Sequence, residues 1–102
     1  MNYLISKNQL SAYGAARKPV ATYSMSGPFG IEILDEVELL VTAGEWKGEM
    51  RPCIVWRWSN EKNKPRVSGI RDLANDEAGF RVNRRWIRLS ECVNSSDSSR
   101  VL

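Results

Sequence analysis

Apolar and polar residues alternate along IEILDEVELLVT, residues 31–42. Val37, Leu39 and Val41 fall on one side, and Glu36, Glu38 and Leu40 on the other. Period two predicts a half-buried strand. Ile31 and Ile33 make a shorter alternation ahead of Asp35. CIVWRW, residues 53–58, reads as a second strand: Ile54, Trp56 and Trp58 share one face, Cys53, Val55 and Arg57 the other. Pro52 ahead of it suits a strand start or an edge. Between the two runs lies Gly44-Glu45-Trp46-Lys47-Gly48, which predicts a hairpin carrying a Trp and a Lys at its tip.

The polar stretch SNEKNKP, residues 59–65, predicts a loop, and Arg66 to Ile70 a third short strand. Arg71 to Ala78 reads as a turn with a little helix, closed by Gly79. Phe80 to Leu89 reads as two short strands parted at Asn83-Arg84, where the alternation changes phase and a bend or bulge is expected. With regular pairing, Arg81 and Arg85 are expected on one face.

The N-terminal residues follow a different period. Ser6 and Gln9 make a capping-box pattern, and Leu10 and Tyr13 share a helical face. A helix is expected from Lys7 towards Lys18, weakened by Gly14 and stopped by Pro19. VATYSMSGPFG, residues 20–30, predicts a short β piece and then a Gly-Pro turn. NSSDSSRVL, residues 94–102, has the composition of a disordered tail. The expected division is an N-terminal helix and linker over 1–30, a β domain over 31–93 and a tail over 94–102. The expected class is mainly β: a small barrel of about five short strands, because closure hides sheet edges.

Composition narrows the chemistry. A chain of 102 residues makes one domain. No apolar run approaches the roughly 18–20 residues of a membrane span, and the start MNYLISKNQLS lacks the pattern of a signal peptide, so a cytoplasmic protein is expected. Cys53 and Cys92 are widely separated and form no CxxC pair, which suits reduced thiols. The chain has no histidine. That removes the commonest general base and metal ligand and any Ser-His-Asp or Cys-His system. No catalytic residue, metal site or cofactor is expected.

Leu39, Val41, Gly44, Lys47 and Gly48 resemble the KOW motif, over residues 37–55. Arg51-Pro52 stands where the motif has its next glycine. The resemblance implies a Src-homology-3-like barrel of the kind found in ribosomal proteins and transcription elongation factors. It also implies a turn that contacts RNA or protein partners.

Charge is unevenly placed. Asp35, Glu36, Glu38, Glu45 and Glu49 surround a single Lys47, whereas Arg81, Arg84, Arg85 and Arg88 follow one another without an acid. Arginine with interleaved Trp86 suits phosphate and base contacts; it equally suits cross-strand pairing with Glu36, Glu38, Glu45 and Glu49. Trp56 and Trp58 belong to a core. Trp46, in a polar turn, is either a contact residue or a lid on the end of the barrel. The candidate contact residues are therefore Trp46, Lys47, Arg81, Arg84, Arg85, Trp86 and Arg88.

A net charge of +3 is low for a dedicated nucleic-acid binder. The expectation is a non-catalytic protein-interaction module, such as a small regulator or inhibitor of the kind phages and mobile elements encode. A barrel that binds RNA or DNA is the alternative, and a self-complementary homodimer a further option.

Overall fold

The computed structural model describes residues 3–25, 29–72 and 77–94. The chain is mainly β. It runs β1 (Tyr3–Leu4), α1 (Lys7–Ser11), β2 (Ala21–Ser24), β3 (Gly30–Val41), β4 (Met50–Trp58), β5 (Arg66–Gly69), β6 (Arg71–Asp72), β7 (Ala78–Val82), β8 (Arg85–Arg88), a 3-10 turn over Leu89–Glu91, and β9 (Val93–Asn94). The larger antiparallel sheet has the order β5-β4-β3-β2-β9, with β1 pairing the far end of β3. The smaller has the order β6-β7-β8.

The two long alternating runs form the β3–β4 hairpin, in the expected positions. The described pairings make two sheets and do not close into a barrel. Closure needs a ladder from one sheet edge to another; here the chain leaves the larger sheet at Gly69 and enters the smaller at Arg71. The sheets meet instead through side chains. Ile31, Ile33, Ile54 and Trp56 pack with Phe80, Val82 and Ile87, with Trp58 half-buried beside them. Trp56 and Trp58 contact edge to face at 5.6 Å, the geometry aromatic quadrupoles favour.

The opposite face of the larger sheet is covered too. Cys53, Val55 and Arg57 are as buried as the core. The register slips between Ile33 and Asp35, where Leu34 is the extra residue. A one-residue slip turns every following side chain to the other face. Ile31 and Ile33 thus lie opposite Trp58 and Trp56, whereas Asp35, Val37 and Leu39 lie opposite Val55, Cys53 and Arg51. Val37 and Leu39 line a depression with Ile5, Ala12 and Tyr13 of the N-terminal segment.

Arg57 ties that segment down. Its Nε donates to Glu32 at 2.7 Å, Nη1 to the carbonyls of Gly14 and Lys62 at 2.8 and 3.3 Å, and Nη2 to the carbonyl of Arg17 at 2.7 Å. Tyr13 adds a 2.6 Å bond from its hydroxyl to Asp35. These bonds explain why the helix is shorter than expected. The Ser6–Gln9 capping box forms, but α1 stops at Ser11 and the chain continues in turns. Gly14 is a poor helix former, and turning the chain there aims its carbonyl, and that of Arg17, at the guanidinium.

Residues 1–30 also supply two strands, β1 and β2, and Asn94 pairs with Ala21 in β9. Arg71–Asp72 and Ala78, expected within a turn with a little helix over Arg71 to Ala78, belong instead to β6 and β7; residues 73–76 between them, the Gly27-Pro28 turn and the expected tail beyond Asn94 lie outside the described residues. No helix among the described residues is long and apolar enough to cross a membrane.

Candidate binding cleft

The tip of the β3–β4 hairpin is shaped by its two glycines. Gly44 and Gly48 have φ of 94° and 91°, a region that L side chains avoid. Gly48 N–H donates to the Val41 carbonyl at 2.9 Å, and Val41 N–H to the Glu49 carbonyl at 2.9 Å. This turn holds Trp46 half-buried. The Arg51 guanidinium lies over its ring at 4.4 Å and pairs with Glu49 at 2.9 Å. One face of the indole is therefore occupied. Lys47 is exposed on the same turn.

The β7–β8 hairpin provides the second wall. Val82 pairs with Arg85, so the loop is the two residues Asn83-Arg84. Their φ values are 47° and 70°, as a type I′ turn requires. Asn enters this left-handed region readily. The second position ordinarily takes glycine; a side chain there costs roughly 1–2 kcal/mol.

Between the two hairpin ends lies a cleft of about 670 Å³. Glu45, Trp46 and Tyr3 line it with Val67, Ser68 and Gly69 of β5 and Arg81, Asn83 and Arg84. Tyr3 packs over Gly69, where an added Cβ would collide with its ring and hydroxyl. Burial first, then proximity to Cys53, raises the pKa of the Tyr3 phenol, opposed by Arg51. Tyr3 therefore presents a neutral hydroxyl.

The candidate residues do not all converge. Trp46, Arg81 and Arg84 meet at this cleft. Arg81 donates to the Arg84 carbonyl at 3.3 Å, and among the described residues the Arg84 guanidinium has no acidic partner. Arg81 and Arg85 lie on opposite faces, contrary to expectation, because the two-residue turn pairs Arg81 with Trp86 and Arg85 with Val82. Arg85 instead reaches the Tyr23 hydroxyl at 3.0 Å and lines a separate depression of about 410 Å³ with Met25, Phe29 and Trp58. Arg88 pairs ionically with Glu77 at 2.8 Å, out of hydrogen-bond alignment. Trp86 lies against Gly79, where a Cβ would come within 2.8 Å of its ring, and so serves packing.

None of these arginines pairs with Glu36, Glu38, Glu45 or Glu49 among the described residues. Arg66 to Ile70 is legible as a strand, but nothing in the sequence marks Tyr3 or the β5 residues as part of a site. Asn83 is legible as a turn former between alternating runs.

Cys53 and Cys92 are free thiols, the first buried and the second half-buried. No cluster of metal-binding side chains occurs among the described residues. No family model matches the chain, and neither a curated protein nor a solved structure does.

Proposed function

We propose that the protein is a non-catalytic interaction module that grips a protein partner in the cleft between its two hairpin ends. One observation carries this reading. Arg84 occupies a left-handed turn position suited to glycine, and it lines the cleft with a guanidinium that has no acidic partner among the described residues. Strain held at one residue points to use of that side chain. The lining supports a protein rather than a nucleic-acid partner. Trp, Tyr and Arg are the residues enriched at interface hot spots. A base-stacking platform needs an open ring, whereas Arg51 covers one face of Trp46 and Glu45 adds a carboxylate to the wall.

We read the body as a relative of the Src-homology-3-like small barrels. Two antiparallel sheets around one core support this, as does the Gly-x-x-Lys-Gly tip set by two left-handed glycines. A small regulator or inhibitor, of the kind encoded by a phage or mobile element, fits such a module. Two free thiols suit a reducing compartment such as the cytoplasm.

The test uses peptides selected on the whole chain from a random linear dodecamer library. Arg84→Gly is expected to raise stability by roughly 0.5–1 kcal/mol, by relieving the turn. It should also weaken peptide binding about tenfold or more, by removing a charged contact. Trp46→Ala should weaken binding comparably. Selection of no binder, or binders indifferent to both variants, overturns the reading. Tight low-salt binding of single-stranded oligonucleotides, lost in Arg84→Gly, transfers the cleft to nucleic acid.

A further inference from the structure

The floor of the cleft is the edge of a sheet. β5 ends the larger sheet, and no described strand pairs with its outer side. The register shows which groups it presents. Ile70 N–H donates to the Pro52 carbonyl at 3.0 Å, so those residues form a hydrogen-bonded pair. Bonded and non-bonded pairs alternate along an antiparallel ladder. The pairs Gly69–Cys53 and Val67–Val55 are therefore of the non-bonded kind. The N–H and C=O of Val67 and Gly69 point away from β4, and no described residue bonds them. Both residues line the cleft.

We propose that the cleft receives its partner as an added strand: an extended segment, alternating acidic and apolar residues, that pairs with the outer edge of β5. The inference rests on the cleft being the binding site and specifies how the site is filled. Edge backbone groups supply affinity in such additions, and alternate side chains supply selectivity. The two faces of an added strand would meet different walls. Gly69 shares the face of Cys53, and Tyr3 packs over it; side chains of that parity meet an aromatic ring. Ser68 shares the face of Ile54 and Trp56, against which the smaller sheet packs. At that end of the smaller sheet Arg84, in the turn, and Arg81 line the same cleft, so side chains of the other parity favour carboxylates. The charge on the cleft, two arginines against Glu45, argues for an acidic segment.

Three measurements decide it. Library peptides selected on the whole chain should show acidic and apolar residues at period two. N-methylation of the selected peptide at the positions that bond Val67 and Gly69 should cost about tenfold or more in affinity, whereas methylation at the other parity should change it less than about threefold. Val67→Pro, which removes an outward N–H that β4 does not use, should reproduce the loss with an unchanged melting temperature. If that variant unfolds, the methylation series on the wild-type chain still decides. Peptides that need Arg84 and Trp46 yet tolerate methylation at both parities would sink strand addition and leave the cleft intact as a site. If no peptide is selected, both ideas fail.

Discussion

Arg57 is the residue on which the architecture turns most sharply. It is 1% exposed and satisfies three backbone carbonyls and one carboxylate. Its removal leaves Glu32 with only Lys62, at 3.6 Å, and takes the donor from three carbonyls; breaking such a buried pair costs about 3–5 kcal/mol. Arg57→Met is therefore expected to lower the unfolding free energy by about that much in urea titrations; a loss below about 1 kcal/mol would show the network to be dispensable. Arg57→Lys should restore only part, because an ammonium lacks the planar fork. Cys53 predicts a second effect. Burial lifts its thiol from the ordinary 9.0 to about 11. The folded state thus holds this proton more tightly than the unfolded chain. The stabilisation is complete below pH 9.0 and fades as pH rises to about 11. Tyr13 acts in the same direction, through its hydrogen bond to Asp35 and then its burial. Urea midpoints should fall as the pH rises from about 9 to about 11, and fall less in Cys53→Ala. A flat profile in the wild-type chain would contradict the assignment.

At the scale of elements, β3 shows how a pattern can be legible and still conceal its geometry. Ile31, Ile33, Val37, Leu39 and Val41 are all odd-numbered, and an unbroken alternation reads as one buried face. The bulge at Leu34 changes the phase, so the first pair serves the core between the sheets and the rest serves the N-terminal segment. The hints were Leu34 itself, apolar at an even position, and Asp35, charged at an odd one. Inserting one alanine after Asp35 moves Val37 from Cys53 to Pro52 and turns Val37, Leu39 and Val41 towards the smaller sheet. The expected outcome is an insoluble or unfolded chain, checked by soluble yield and circular dichroism; a folded insertion variant of native stability would refute the two-sided role. The N-terminal helix repeats the lesson. Its start is local, written in Ser6 and Gln9. Its end depends on a guanidinium some forty residues away, which no local propensity records.

For the molecule as a whole, the hairpins were readable, since turn chemistry and period-two runs are local. The candidate site was readable only in parts. Trp46 stands out as a Trp in a polar turn, and the arginines as a run without acids. What brings Trp46 to Arg81 and Arg84, and parts Arg85 and Arg88 from them, is the packing of one sheet on the other, together with the turn that sets the parity of β8. Tyr3 and β5 entered the site for the same reason. The covering of β4 on both faces has a further consequence. Its odd-numbered row supports one layer and its even-numbered row another, so the two layers share a single party wall. Neither can be stripped away without wetting that wall, and damage to the N-terminal segment is felt by a core it never touches. The described strands are therefore expected to open and close as one unit with the segment from Tyr3 to Val20.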